Sequence, residues 1–404
     1  MQAYYFHRGE APLWFRNADT RAAVGKLPAL LRRAQVEGLV TGPQLAAQVE
    51  AASLRAATSN NPADIRAAEL LASNAWVTYV QLVKKAPAGM LFGYPQLAPQ
   101  GSRPDQILLT AAATPSLAQH LDKVAAPNAT YAHLRDAAWT AFQANPAAGV
   151  DGRLLANLER ARVLPAGGRY ILVNAADARL TMFENGQPVD SMKVVVGTEK
   201  TPTPMIASMI FYTTFNPYWN VPGNLIQKTQ APAVLKQGDA YLKARGYEVM
   251  SDWTENATVL PASSVDWKAV IAGDKQIRLR QLPGAGNSMG RYKFNFRNSE
   301  DIYLHDTPQR EYFARNVRAL SNGCIRLEDA KRLARWLMQA EPVAPSAQPE
   351  LHVKLPQGVP VYVTYLTVKP DGGKLTYLDD YYGWDGRPDR QVAAASSQAP
   401  RAGL

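Results

Sequence analysis

The sequence predicts an α+β protein in which a mainly helical N-terminal region precedes a β-rich domain. Residues 1–165 are rich in alanine, and their apolar residues recur at helical spacing. From residue 166 onward the pattern changes to short alternating segments separated by turn residues, which is typical of a β-sandwich or a barrel. A chain of 404 residues is long enough for two domains. We place them at 1–165 and 166–390, and expect the Ala/Ser/Gln-rich tail 391–404 to be disordered.

Three helices are predicted in the N-terminal region from the spacing of apolar residues. They span residues 27–37, 43–57 and 62–85, and Gly38 is expected to end the first of them. Their apolar faces are expected to form a core rather than cofactor sites. The aromatic residues within 4–15 are expected to form a small strand-turn unit that packs on these helices.

The β-rich domain is predicted from short alternating segments, with a hairpin turn at Asn185-Gly186. A helix is expected over 329–340, a surface crossing over 341–357, and a closing strand over 359–368 that pairs with 374–378. The remaining predicted strands are 169–174, 179–183, 192–196, 205–214, 277–281, 290–296 and 302–305.

Composition and charge exclude several classes of protein. The formal net charge is +10, but no Lys/Arg-rich run concentrates it, so nucleic acid is not an expected partner. A diffuse positive field instead suits a polymer that carries carboxylates. No run of 18 apolar residues is present, so no membrane span is predicted.

Metal and nucleotide sites are also not expected. The five histidines are scattered, and neither an H-E-x-x-H motif nor a paired-cysteine motif is present. The glycines at 284–286 are not followed by the Lys-Ser/Thr pair of a phosphate-binding loop.

One stretch combines the only cysteine, Cys324, with a histidine 19 residues before it, His305. A thiolate nucleophile needs a base or a cation beside it, and imidazole supplies both functions. Gly323 allows a tight turn before the cysteine, and Arg326 is expected on the cysteine's side of a strand. Taken without their context, a lone cysteine and a lone histidine are more often ordinary structural residues.

Two blocks around this pair resemble the YkuD-type catalytic domain of L,D-transpeptidases. Residues 321–326 match the family signature S-x-G-C-x-R, and residues 302–308 match the I-Y-L-H-D-T-P block of its large periplasmic, YcbB-like members. Residues 157–162 resemble the N-L-E-R-x-R segment that leads into this domain. The resemblance therefore implies a helical scaffold domain followed by a YkuD-like catalytic domain, with a capping subdomain inserted at 217–275. An ordinary aromatic-lined insertion at 217–275 is the alternative.

The resemblance implies that Cys324 is the nucleophile and that His305 is the general base and acid. The main-chain carbonyl of Asp306 is expected to orient the imidazole, and a triad role for its carboxylate is the alternative. The backbone amides of Asn322 and Gly323, with that of Cys324 itself, are expected to form the oxyanion hole.

Several further residues are candidates for substrate binding. Arg326 is expected to hold a stem-peptide carboxylate or to order the turn. Tyr303 is expected to contact substrate or simply to pack, and Gly290 is a candidate that backbone freedom alone would also explain. The complete set of candidates is Arg326, Tyr303, Ser321, Asn287, Met289, Gly290, Tyr218 and Trp219.

The implied function is peptidoglycan crosslinking without a cofactor, since one amide bond is exchanged for another. The expected partners are the stem peptides, the glycan strand that carries them, and carbapenem-type β-lactams as covalent inhibitors. The expected location is the periplasm. Met1–Phe6 has neither a basic nor an apolar signal region, so the chain is expected to be a mature form whose targeting segment has been removed.

The crosslink type remains open in the sequence. Family members join diaminopimelate to diaminopimelate (3,3) or, in a proteobacterial branch, L-alanine to diaminopimelate (1,3). No complete peptidoglycan-binding module fits between Phe142-Gln143 and Asp151-Gly152, and the stretches 201–204 and 341–360 are rich in proline. These features favour the 1,3 branch. A stem-peptide carboxypeptidase or amidase, and a non-catalytic wall-binding scaffold, are the alternatives.

Overall fold

The structure is a computed structural model that describes residues 1–371 and 374–387. It confirms the α+β class, with a helical N-terminal region and a β-rich domain after it. The predicted disordered tail 391–404 lies outside the described residues. No helix in the described part of the chain is long and apolar enough to cross a lipid bilayer.

Most of the helices precede residue 165. Those up to residue 125 pack around one apolar core, and the next two form a second core with strand residues of the β-rich domain. The first predicted helix ends as expected, because Gly38 has a φ of +101° and closes a 3₁₀ turn over Ala34–Glu37. The α-helices of the described residues are α1 (Gln2–His7), α2 (Ala18–Val24), α3 (Leu27–Arg33), α4 (Gly42–Ser59), α5 (Pro62–Val83), α6 (Pro104–Ala113), α7 (Leu117–Ala125), α8 (Ala129–Ala144), α9 (Gly152–Ala161), α10 (Gly223–Leu225), α11 (Ala231–Gln237), α12 (Asp239–Ala244), α13 (Trp267–Ala272) and α14 (Ala330–Met338).

The prediction of a strand-turn unit near the N-terminus was wrong. Residues 4–6 lie in helix α1, and residues 13–15 form a bend. The physical reason is Glu69, a buried carboxylate on α5 that accepts the backbone N–H groups of Leu13 and Trp14 at 2.8 and 2.9 Å. These amides therefore have a side-chain partner and need no neighbouring strand.

The N-L-E-R-x-R segment joins the helical region to the end of the β-rich domain. Buried Asn157 on α9 donates to the Thr367 hydroxyl at 2.8 Å and accepts the Val368 amide at 3.0 Å. Arg160, also buried, contacts the Asp385 carboxylate at 2.7 Å. Because buried polar groups are costly when unpaired, these bonds hold the two regions together.

Strands follow from residue 170, apart from one short strand in the loop after α5. The Asn185-Gly186 hairpin is present, with φ values of +52° and +76°. The strands are β1 (Leu91–Phe92), β2 (Tyr170–Asn174), β3 (Arg179–Glu184), β4 (Gln187–Gly197), β5 (Ile206–Phe215), β6 (Trp219–Asn220), β7 (Tyr247–Met250), β8 (Val259–Leu260), β9 (Arg278–Gln281), β10 (Tyr292–Asn295), β11 (Tyr303–His305), β12 (Ala319–Ser321), β13 (Ile325–Leu327), β14 (Leu351–Thr364), β15 (Val368–Asp371) and β16 (Lys374–Tyr377).

The main sheet closes on itself as a barrel. Its order is β5-β10-β11-β13-β4-β3-β2-β14, and β14 pairs back onto β5. Of the two predicted architectures, barrel and sandwich, the closed ring selects the barrel. The prediction that residues 341–357 cross the surface was partly wrong. Residues 351–357 belong to the long strand β14, and Leu355 of this strand is buried in the barrel core.

The insertion between β5 and β10 forms a separate small subdomain. It has its own four-stranded sheet, β6-β9-β7-β8, and its own apolar core around Val249 and Leu279. The strand predicted at 277–281 was assigned to the main sheet in error, since β9 pairs with β7 and β6. The inserted subdomain therefore reaches residue 281 rather than the expected 275.

Candidate active site

Cys324 lies in the tight turn between β12 and β13. Gly323 adopts a φ of +111°, which L side chains rarely adopt. The buried Ser321 hydroxyl closes the turn: it donates to the Cys324 carbonyl at 2.6 Å and accepts the Gly323 amide at 3.1 Å. The turn thus holds a partly exposed cysteine on a rigid backbone.

A second layer behind the turn comes from residues that sequence reasoning did not select. The buried Thr203 hydroxyl donates to the Gly323 carbonyl at 2.7 Å and accepts the Gly197 amide at 2.8 Å. Thr201 donates to the Ser321 carbonyl at 3.2 Å. The Thr-Pro-Thr-Pro stretch at 201–204, noted only for its prolines, therefore supports the catalytic turn.

The strand register places the histidine beside the cysteine turn. Strands β11 and β13 are parallel, with Leu304 opposite Ile325 and His305 opposite Arg326. Leu304 and Ile325 are fully buried in the barrel core. Because side chains alternate along a strand, His305 and Arg326 project to the side opposite Leu304 and Ile325. Cys324 lies in the turn just before β13, and its Sγ donates to the Asp301 carbonyl at 3.6 Å.

The orientation of the imidazole depends on Asp306. His305 Nδ1 lies 2.5 Å from the Asp306 carbonyl oxygen, which fits an Nδ1–H donor and leaves Nε2 as the basic atom. The Asp306 carboxylate points elsewhere: it accepts the Arg291 amide at 2.9 Å and pairs with Arg310 at 2.7 Å. This arrangement favours the main-chain role over the triad alternative.

Gly290 gives the Asp306 carboxylate the space it occupies. Its φ is +61°, and a Cβ atom at this position would overlap Oδ2, Cγ and Cβ of Asp306. Gly290 therefore acts through Asp306, and its selection as a substrate contact is replaced by this structural role.

Two cations flank His305 across the sheet. Arg326 is its partner on β13, and Lys293 is its partner on β10. Burial, and then the charges of Arg326 and Lys293, lower the pKa of His305 to about 3, although the Asp306 carbonyl opposes the shift. The imidazole is therefore neutral at physiological pH and available as a base.

Arg326 is held close to the cysteine by neighbouring side chains. Its guanidinium donates to Gln309 Oε1 at 2.5 Å and lies 5.6 Å from the Tyr312 ring centroid. Burial lowers its pKa, and the attraction of Tyr312 and Cys324 opposes this shift. Its Nε atom is buried and makes no hydrogen bond in the described structure, so the guanidinium is not fully satisfied by the protein.

Comparison with known proteins agrees with this geometry. Residues 168–363 match the YkuD family of L,D-transpeptidase catalytic domains, and residues 1–137 match the family described as the Scaffold domain. The chain contains a YkuD-type L,D-transpeptidase catalytic domain.

Similar proteins include one of Haemophilus influenzae named "Putative L,D-transpeptidase", which is 27% identical over 94% of this chain and 77% of its own length.

Two solved structures are similar over part of the chain. The Ldtfm-avibactam carbamoyl enzyme is 10% identical, with a TM-score of 0.24 and coverage of 50% of each chain. An L,D-transpeptidase from Mycobacterium smegmatis is 13% identical, with a TM-score of 0.25 and coverage of 49% of this chain and 59% of its own. This chain thus spans only half to three-fifths of those two chains.

Two residues near the nucleophile of the L,D-transpeptidase domain have other roles than expected. The Gly323 amide donates to Ser321, so the expectation that it faces an oxyanion is corrected. Ser321 was expected to bind substrate, but its buried hydroxyl is engaged within the turn. Among the described residues, no acceptor is hydrogen-bonded to the Asn322 amide, which keeps Asn322 as an oxyanion candidate.

The block at 287–290 is structural. Asn287 is buried. Its side-chain NH₂ group donates to the carbonyls of Pro217, Gln281 and Leu282, which lie in the two segments that connect the inserted subdomain to the barrel. Its Oδ1 accepts the Met289 amide at 2.7 Å, and Met289 is itself buried. Both were expected to bind substrate, and their burial corrects that expectation.

The aromatic candidates are partly exposed. Tyr303 lies with its ring edge-to-face against His305 at 5.7 Å. Tyr218 stacks under Arg280 at 4.3 Å, and Trp219 packs near Tyr247 on the inserted subdomain. Tyr303 is thus beside His305, whereas Tyr218 and Trp219 lie at the start of the insertion.

The reactive groups that the site brings together are a thiol, a neutral imidazole and a guanidinium with one unpaired donor. This set can form a thiolate nucleophile by proton transfer to the imidazole, and it can bind an anion beside that nucleophile. No group of three or more potential metal ligands occurs in the part of the chain that the structure describes.

Proposed function

We propose that this protein is a periplasmic peptidoglycan L,D-transpeptidase that crosslinks stem peptides through a cysteine acyl-enzyme. The observation that carries the proposal is the arrangement of Cys324 and His305. The cysteine lies on a turn that the Ser321 hydroxyl closes, and β13, which begins at the next residue, pairs with the strand that ends in His305. His305 Nδ1 is bonded to the Asp306 carbonyl, which supports Nε2 as the atom that accepts the proton of the Cys324 thiol.

In the first step the Cys324 sulfur attacks the carbonyl carbon of a donor-stem amide whose acyl side is an L-centre. His305 accepts the thiol proton as the S–C bond forms. The C–N bond then breaks, and the imidazole returns the proton to the departing amine. In the second step the amine of an acceptor diaminopimelate attacks the thioester and gives one proton to His305. The S–C bond then breaks, a new amide forms, and the imidazole returns that proton to the Cys324 sulfur.

Two groups are proposed to bind charge during this sequence. The Asn322 and Cys324 amides face the oxyanion of each tetrahedral intermediate, where one donor contributes about 3–4 kcal/mol to the barrier. The partly buried Arg326 binds a stem-peptide carboxylate through its guanidinium. Its fixed position between Gln309 and Tyr312 supports this role.

For the crosslink type we propose the 1,3 product, in which L-alanine of the donor is joined to diaminopimelate. Between α8 and α9 the described chain has only the 3₁₀ turn Pro146–Ala148, so no wall-binding module is inserted there. Incubation of the protein with purified muropeptide stems, followed by mass spectrometry, tests this product. Exclusive 3,3 links would refute the 1,3 proposal, and shortened stems without links would identify a hydrolase.

Acylation by a carbapenem tests the cysteine chemistry separately. The intact protein should gain the mass of one ring-opened carbapenem, and the Cys324→Ala variant should gain none. The Cys324→Ala variant should also keep the wild-type melting temperature, because the side chain is partly exposed. An unmodified wild-type protein would favour the non-catalytic scaffold.

A further inference from the structure

A buried lysine beside the catalytic histidine takes no part in the proposed acyl transfer. Lys293 lies on β10 directly opposite His305, and antiparallel partners project to the same side of a sheet. Its side chain is 9% exposed, so it is held inside the site rather than in solvent. A lysine at this depth requires partners for its charge.

Lys293 contacts two groups, an aromatic ring and a carboxylate. Its Nζ lies 4.8 Å from the Tyr303 ring centroid, and that ring contacts the His305 ring edge-to-face. Nζ also lies 3.7 Å from Glu350 Oε1. The lysine is thus connected to the imidazole on one side and to Glu350 on the other.

Glu350 holds the start of the inserted subdomain. Its Oε2 accepts the Tyr218 amide at 2.7 Å, and its own amide donates to the Asn216 carbonyl at 2.9 Å. Glu350 and Asn216 both adopt positive φ, at +54° and +48°. Non-glycine residues hold such conformations where surrounding contacts require them.

We propose that Lys293 and Glu350 are a positioning pair that links the start of the inserted subdomain to the Tyr303–His305 contact. The pair fixes the position of the imidazole relative to Tyr218. Movement of the inserted subdomain would therefore also move the catalytic base. Neither residue touches the reacting atoms. The inference rests on the proposed function, because it concerns how the imidazole is held for acylation.

The charge of Lys293 adds an effect that a purely structural residue would not have. The charged and titratable side chains beside His305 in the described structure are Lys293 on β10, Arg326 on β13 and Tyr303 on its own strand. Removal of the lysine charge takes away one of the influences that lower the His305 pKa. The acid limb of the acylation rate should then move to higher pH.

The main test is carbapenem acylation of Lys293→Met across pH, beside Lys293→Arg and the matched control Lys354→Met. Lys354 is an exposed lysine on β14. Lys293→Met should reduce the acylation rate constant on the order of tenfold, with a smaller change in the half-saturating concentration. The acid limb of its acylation rate should shift to higher pH. Lys293→Arg should restore the rate constant and the position of the acid limb, and Lys354→Met should match the wild type in both.

A second variant keeps the proposal testable if Lys293→Met does not fold. Glu350→Gln retains an oxygen for the Tyr218 amide but removes the charge that faces Lys293. In both variants, hydrogen exchange of the Tyr218 amide should be faster, on the order of fivefold. The proposal would be overturned if the acylation rate, the pH of its acid limb and the exchange rate of the Tyr218 amide all equalled those of the wild type.

The proposed function and the positioning pair can fail separately. A wild-type protein that carbapenem does not acylate would refute the proposed function, whereas the exchange of the Tyr218 amide reports on the pair without any catalysis. An acylated wild type with unaffected variants would refute the positioning pair alone.

Discussion

Ser321→Ala tests whether the turn's hydrogen bonds place the nucleophile. The hydroxyl is buried and bonds the Gly323 amide and the Cys324 carbonyl at 3.1 and 2.6 Å. Withdrawal of a partner from a buried polar group costs about 1–3 kcal/mol, so two such groups should lower the free energy of unfolding by about 2–6 kcal/mol. If the sulfur shifts by about 1 Å, acylation should slow on the order of a hundredfold.

The assays for this variant are urea unfolding and the second-order rate constant of carbapenem acylation, measured by intact mass. Ser264→Ala is the matched control, since the exposed Ser264 makes one hydrogen bond, to Pro261, in the inserted subdomain. The control should change stability by less than about 0.5 kcal/mol. Wild-type acylation by Ser321→Ala would show that the hydroxyl does not position the sulfur.

Other contacts lead to three further predictions. Gly290→Ala should destabilise the fold by more than about 1 kcal/mol and slow acylation, because its Cβ would overlap the Asp306 carboxylate; Gly286→Ala, in open space, is the control for both assays. Asn157→Ala should lower the free energy of unfolding by about 2–4 kcal/mol in urea, while the acylation rate of the folded protein stays unchanged. His305 has a pKa of about 3 in the folded protein, so below about pH 6.5 the unfolded state binds one more proton than the folded state. The free energy of unfolding should therefore fall as the pH is lowered. In urea unfolding, His305→Asn should weaken this dependence of stability on pH.

The pattern of the two sequence blocks made the L,D-transpeptidase catalytic domain predictable, and the nucleophile and base stay predictions. A cysteine after Ser-Asn-Gly and a histidine at the end of an alternating segment carry their chemistry in local sequence. The α+β class was predictable for the same reason, since helical and strand periodicities are local properties.

Roles that depend on burial and on which hydrogen-bond partner a side chain takes were not predictable. Ser321, Asn287 and Met289 looked like substrate contacts in the sequence, but the structure buries them. Only the closed barrel brings Thr203 behind the turn. A polar residue type does not reveal whether its hydrogen bonds go to a ligand or to the backbone.

By itself, the sequence determined the α+β class and which residues can act as nucleophile and base, because periodicity and residue chemistry are local. The tertiary structure decided where those residues face. Strand register placed His305 opposite both Arg326 and Lys293, and it brought Glu350 beside the lysine. These contacts arise from closure of the sheet into a barrel, which joins strands distant in sequence and which no local pattern specifies.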